Sequence, residues 1–271
     1  VVILAHYGEV VMKELQAGVY YRPAAQPDAD TVLLLHSSQS ASSQWRHFIQ
    51  TVDERVNVLA VDLLGYGNAP QASITTHFRL QHEIPRVQEA IAAAAVQQPL
   101  TVVGHSYGGA LALKIVADQA LAVNKVAVYE PVSFHVLPED SPGMMEIRAI
   151  SDAMHGKDAT ACTRTFVDYW NQPGYFDALP AKIQALMVSQ AEKVSLDFDA
   201  LLNEPLQLDD YARIKQPVLL ISGEYTRRSA QAVVRALSSV LPNLTEQRVA
   251  AGHMGPLTHP AEVSPLLSDF I

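Results

Sequence analysis

The sequence predicts an α/β protein: a mostly parallel central sheet of about eight strands flanked by helices, with a helical lid inserted after the sixth strand. Three observations predict it. Short, nearly continuous apolar runs recur at Thr31–Leu35, 56–63, 100–103, 126–129 and 218–221, as they do in strands buried on both faces. Helical stretches fall between them. This rhythm stops after Glu130-Pro131 and resumes only near residue 212.

Residues 1–4 and Val19–Arg22 read as two opening strands separated by polar turns. A helix over 43–53 follows the first buried run, and a helix over 76–96, interrupted by Pro85, follows the second. The stretch 107–120 is apolar nearly all round, relieved by Lys114 and Asp118, which marks a mostly buried helix. From 132 to 211 the pattern is helical, with segments at 143–155, 158–170, 178–193 and 196–203 parted by Pro142, Gly156, Pro173-Gly174 and Pro205. Phe134, Phe166, Tyr169, Trp170, Tyr175, Phe176 and Phe198 lie in this stretch. The chain therefore divides into a core domain, 1–131 with 212–271, and a helical lid, 132–211. Strand and helix resume at 218–221, 230–240 and Leu244–Val249, with a last helix from Pro260.

Composition sets the function classes. Of 271 residues, 49% are hydrophobic and 17% charged, so a large core can be buried and disorder is excluded. Lys+Arg number 19 against 28 Asp+Glu, and the only basic pair is Arg227-Arg228, which speaks against nucleic acid. The apolar runs fall well short of the roughly 18 residues of a membrane span, and no basic leader opens the chain. Cys162 is the only cysteine, so an intrachain disulfide is impossible and a reducing, cytoplasmic setting is expected. Its default role is that of a small buried hydrophobe. HExxH, CxxC, EF-hand and GxGxxG spacings are missing, so no metal or nucleotide cofactor is implied. The expected partner is a small molecule.

The chemistry concentrates at Gly104-His105-Ser106-Tyr107-Gly108-Gly109, where a buried strand meets a buried helix. A sharp turn there lifts the serine hydroxyl off the sheet edge, and the tight backbone calls for small neighbours. Ser106 is the candidate nucleophile; otherwise it merely caps the helix. His253, in Gly252-His253-Met254-Gly255 after the last predicted strand, is the candidate base, and His259 is a neighbour or helix cap. Oxyanion donors are expected from the backbone N–H of Tyr107 and from the loop His36-Ser37-Ser38, with Ser38 the choice. Phe134 and Trp170 are candidate substrate contacts from the lid, with packing the competing reading for Trp170 as it is the expectation for Trp45.

These pieces together resemble the α/β-hydrolase superfamily over essentially the whole chain: His36-Ser37, Asp62-Leu63-Leu64-Gly65-Tyr66-Gly67, the Ser106 turn and Gly252-His253, in that order. Asp62 and the two glycines after it are expected to shape their loop. The resemblance implies a serine hydrolase acting on a carboxylic ester or related acyl bond. It also implies a triad acid three residues beyond Gly223, where this chain has Thr226. Threonine cannot supply the negative charge that stabilises an imidazolium. Glu130, at the end of the run 126–129, is the chosen substitute, since the haloalkane dehalogenases among others carry the acid at this earlier strand end; Glu224 is the alternative. A cofactor-free perhydrolase or lyase on the same serine, or a small-molecule binder with a decayed triad, are the competing readings.

Overall fold

The computed structural model describes residues 4–7, 10–26, 28–96 and 99–271. A single sheet of nine strands forms the centre, in the order β1-β2-β3-β5-β4-β6-β7-β8-β9. The strands are β1 Leu4–Tyr7, β2 Val10–Gln16, β3 Val19–Arg22, β4 Thr31–Leu35, β5 Asn57–Val61, β6 Leu100–His105, β7 Val123–Tyr129, β8 Val218–Gly223 and β9 Leu244–Val249. β1, β2 and β3 form an antiparallel meander that joins β5; from β5 through β9 every pairing is parallel.

The strand at Val10–Gln16 makes nine where the sequence suggests about eight, so the helical stretch follows the seventh strand rather than the sixth. Its last five residues, Met12-Lys13-Glu14-Leu15-Gln16, mix apolar and charged types, which hides the strand from a search for continuous apolar runs. Residues 1–3 of the expected opening strand lie outside the described residues.

Twelve α-helices accompany the sheet among the described residues: α1 Arg46–Thr51, α2 Ile84–Ala94, α3 Tyr107–Ala117, α4 Pro142–Met154, α5 Ala159–Trp170, α6 Tyr175–Ala178, α7 Ala181–Ser189, α8 Ala191–Leu202, α9 Leu208–Tyr211, α10 Arg228–Ser238, α11 Gly255–Thr258 and α12 Pro260–Phe270. Pro85 does not interrupt a long helix. It sits in the first turn of α2, where a missing N–H costs nothing, and a 3-10 turn, Leu80–Glu83, precedes it. The segment expected at 178–193 breaks at Gln190 into α7 and α8, without glycine or proline.

Strand alternation sorts the core into two layers. Leu33 and Leu35 of β4 face one cluster with α2, α3 and α10, while Val32 and Leu34 face the other with Trp45, Phe48 and Ile49 of the α1 region and Val263 and Leu267 of α12. Trp45 therefore packs as expected. The strand order turns back between β4 and β6, and such switch points open a crevice at the carboxyl ends of a parallel sheet. The loops after β4, β6, β7, β8 and β9 all emerge at that edge.

A buried charge ties the stretch between β7 and β8 to this core. Lys193 of α8 is 4% exposed, bonds Asp197 one turn on, and lies 3.1 Å from Glu83 Oε1. Its ammonium sits 4.7 Å from the Tyr107 ring and 4.9 Å from those of Tyr66 and Phe78. Burial pushes the Glu83 carboxyl above its ordinary range, against the pull of Lys193. Lys193→Met should leave two buried carboxylates without a counter-charge and cost about 3–5 kcal/mol in denaturant unfolding. A loss below about 1 kcal/mol would mean the charges are solvated rather than buried together.

Candidate active site

Ser106 occupies the turn between β6 and α3 with φ 55° and ψ −116°, a backbone conformation that L-residues seldom adopt. The turn survives because α3 lies very close to the strand ends. A Cβ on Gly108 would stand 2.5 Å from the carbonyl oxygens of Leu35 and His36, and one on Gly104 would stand 2.3 Å from the Gly108 oxygen. The Gly108 N–H donates to His36 O at 3.1 Å, which fastens the loop after β4 to the start of α3.

His253 follows β9 and is 3% exposed. Its Nε2 is 2.9 Å from Ser106 Oγ and its Nδ1 is 2.7 Å from Glu130 Oε2. A carboxylate can only accept, so the neutral ring carries its proton on Nδ1 and takes the serine O–H at Nε2. Two more bonds fix the loop: His105 Nε2–H donates to His253 O at 2.8 Å, and the Tyr129 hydroxyl donates to Gly252 O at 2.7 Å. Burial, and then the facing His253, push His105 well below its ordinary value, so it stays neutral.

Glu130 is fully buried at the end of β7, with φ 41°. Besides His253, its carboxylate accepts from the Gly223 N–H at 2.7 Å and the Thr226 hydroxyl at 2.6 Å. The residue in the place expected for the acid is thus a donor to Glu130. Glu224, the alternative, is exposed, and only its backbone N–H is engaged, with Val249 O. Thr226 was missed as a site residue; its spacing from Gly223 was the available signal.

The N–H of Tyr107 is the first of α3, and helices leave such groups without an internal partner. Ser38 lies on the loop after β4, with its hydroxyl donating to Asp197 Oδ2 at 2.5 Å and so joined to the Lys193 cluster. The Tyr66 hydroxyl donates to the same carboxylate oxygen at 2.6 Å, and Tyr107 OH reaches Glu83 Oε1 at 3.2 Å. Asp62 shapes its loop as expected, accepting from the Ser42 and Asn68 N–H groups. The left-handed residue of the loop after β4 is Gln39, at φ 53°.

A cavity of about 40 Å³ opens over Ser106, lined by Ser38, Gln39, Phe166, Trp170, Met187 and His253 among others. By that measure it holds about three waters. Trp170 therefore reaches the site. Phe134 does not: it is 1% exposed, sits in the larger core cluster on a turn packed against α8 and α10, and lines no part of this cavity. Aromatic composition located it in the right segment but not on the right face. His259 stands at the N-cap position of α12, exposed, with its ring on the Thr258 hydroxyl. A larger cleft of about 760 Å³, lined by Asp118, Leu121, Asp210 and Lys215, lies at the opposite edge of the sheet, away from the linked residues. Among the described residues, no cluster of three His, Cys, Asp or Glu could hold a metal ion. No helix among them is long and apolar enough to cross a membrane.

Comparison with known proteins agrees with this layout. The chain is 24% identical over 269 residues to the biotin biosynthesis bifunctional protein BioHC of Teredinibacter turnerae, covering 91% of this chain and 45% of that protein. It is 30% identical over 119 residues to a haloalkane dehalogenase of Agrobacterium fabrum, covering 44% of this chain and 38% of that one. The chain thus spans less than half the length of these curated relatives. The crystal structure of the enol-lactonase from Burkholderia xenovorans LB400 shares the fold, with a TM-score of 0.75, 17% identity and 96% of each chain covered. A model of the alpha/beta hydrolase family matches residues 32–266, most of the sheet and all the linked side chains, and the chain belongs to that family.

Proposed function

We propose that the protein is a serine hydrolase that cleaves a carboxylic ester, or a related acyl bond, of a small neutral substrate through an acyl-enzyme on Ser106. The observation that carries this reading is the unbroken line Ser106 Oγ–His253–Glu130, with contacts of 2.9 and 2.7 Å. In this mechanism Ser106 Oγ bonds to the carbonyl carbon as its proton passes to His253 Nε2. Glu130 keeps the ring in its Nδ1–H tautomer and balances the imidazolium charge. The Tyr107 and Ser38 N–H groups serve as donors to the oxyanion. Collapse breaks the C–O bond, and the alkoxide leaves with the proton from His253. Water then repeats the sequence: it attacks the acyl carbon, gives its proton to His253, and Ser106 Oγ departs and regains a proton.

The binder with a decayed triad loses its motive, because a carboxylate stands on the histidine even though Thr226 fills the usual position. The perhydrolase or lyase reading has no observation of its own here. The cavity wall of Phe166, Trp170, Met187 and Met254 carries no Lys or Arg to neutralise an anionic substrate, and its size suits a short acyl group. A lone cysteine, buried in α5, suits a cytoplasmic setting.

Ser106→Ala should lower hydrolysis of a short p-nitrophenyl ester by roughly 10⁴–10⁶ with the fold intact. A fluorophosphonate should label Ser106 and nothing else. Retention of a tenth of the wild-type rate by the alanine variant would remove the nucleophile assignment. Glu130→Gln should cost at least roughly a hundredfold in kcat, and Glu224→Gln almost nothing, measured on one ester at neutral pH. The reverse order would move the acid to the β8 loop, and two silent variants would leave a Ser–His dyad. Trimming the cavity wall with Met187→Ala or Phe166→Ala should raise kcat/KM for a longer acyl chain relative to acetate by about tenfold. An equal response across chain lengths would mean these side chains do not bound the acyl site.

A further inference from the structure

Trp170, at the end of α5, stacks on the imidazole of His253: the ring centroids are 3.8 Å apart and the planes 28° from parallel. His105 faces the same imidazole, at 5.2 Å and 47°. The indole is 7% exposed and its placement is built in. Tyr169 packs edge-on against it at 4.7 Å and donates to or accepts from Ser229 Oγ at 2.7 Å. Arg227 Nε donates to Tyr169 O at 2.5 Å, and its guanidinium lies 5.2 Å over the Tyr169 ring.

We propose that Trp170 is a positioning residue that acts through His253, holding the imidazole in the Ser106–Glu130 line and stabilising it when it becomes a cation. This rests on the reading of His253 as the base that takes the serine proton. The face of an indole carries negative charge density, and a cation stacked on it within about 6 Å is attracted, the more so where water is excluded. Attraction grows as the ring accepts its proton, so it favours the transition state over the resting enzyme. The other groups facing His253 are accounted for. Glu130 supplies the negative charge from β7, and His105 from β6 is neutral and gives its Nε2–H to the His253 carbonyl. Tyr129 spends its hydroxyl on Gly252 O, and Thr226 spends its own on Glu130. Arg227 is directed at the backbone and ring of Tyr169. Trp170 is thus more than a wall of the acyl cavity.

The deciding measurement changes charge density on the ring but not its shape. The chain has two tryptophans, so in Trp45→Phe, and in the wild type as a check, Trp170 can be replaced by mono-, di- and trifluorotryptophan. The imidazole of His253, assigned with His253→Gln, is titrated by NMR. Its midpoint should fall step by step with fluorination, by about half a pH unit or more over the series, and the acid limb of kcat/KM should move to lower pH with it. Trp170→Phe should fall part of the way and Trp170→Leu furthest when both are corrected against the fluorinated series. A midpoint unmoved by fluorination, or one that rises, overturns the proposal and leaves Trp170 as a water-excluding wall. If the midpoint falls but ester turnover does not need Ser106, the stabilisation stands and the proposed reaction falls.

Discussion

A carboxylate with no exposure is tolerated only when its lone pairs are taken up, because stripping an ion of water costs several kcal/mol even in a relaxed protein interior. Glu130 meets this condition with three donors from two neighbouring strand ends: the Gly223 N–H at the end of β8, the Thr226 hydroxyl on the loop that follows, and the His253 ring after β9. Its own backbone, at φ 41°, is turned into the left-handed region and held by an N–H to Ile221 O at 2.9 Å. Two costs at one residue, a strained backbone and a buried charge, are sustained because the register of β7, β8 and β9 brings all the donors to the same point. Displacing any of these strands would leave an uncompensated ion in the core. The charge therefore constrains the sheet edge as much as the sheet edge positions the charge.

The second anchor of the edge is on the other side of Ser106. Ser38 and Tyr107, which present the two candidate oxyanion N–H groups, each pass a hydroxyl to the Lys193 cluster, one to Asp197 and one to Glu83. Both carboxylates share the same ammonium. The loop after β4 and the start of α3 are thereby referred to one point on α8, in addition to the Gly108–His36 bond between them. Fixed donors need no reorganisation as charge develops on an oxygen, which is how such sites stabilise it better than water does. The helical stretch is consequently part of the frame of the site.

How much of this was legible follows from what each feature leaves in the sequence. Five of the six parallel strands carry long apolar runs and stand out by them, while the edge strand β9, with Thr245, Glu246, Gln247 and Arg248, is largely exposed; β2 lies in the meander and mixes Lys13 and Glu14 with Met12 and Leu15, so it does not stand out. Ser106 was readable because its turn needs Gly104 and Gly108, and backbone crowding is recorded directly as glycine. Glu130 was readable only by elimination, from Thr226, and the family pattern showed where to look. The bond from Thr226 to Glu130 was not, because it joins residues on two loops. Phe134 was misread for a similar reason. An aromatic residue announces burial, but whether it faces a cavity or the core is settled by the packing of α8 and α10 against its turn. The break at Gln190 left no glycine or proline to mark it.

The helical stretch is attached to the core very unevenly. α5 is pinned at its end by Trp170 on His253 and by Arg227 on Tyr169; α8 is pinned by Lys193, Asp197 and a run of buried apolar residues including Val194, Phe198 and Leu201. Between them α7 contributes no buried residue, and Ile183 and Leu186 are exposed. Its tie to the sheet edge is a bond from Gln39 Nε2 to Met187 O at 2.9 Å, made by the left-handed residue of the loop after β4. A helix with no fully buried residue gains less from the hydrophobic term that secures its neighbours, so local opening costs less there. That same helix supplies Met187 to the wall over Ser106. The firmly held helices of the stretch touch His253 and Ser38, and the helix with no buried residue supplies part of the wall over Ser106.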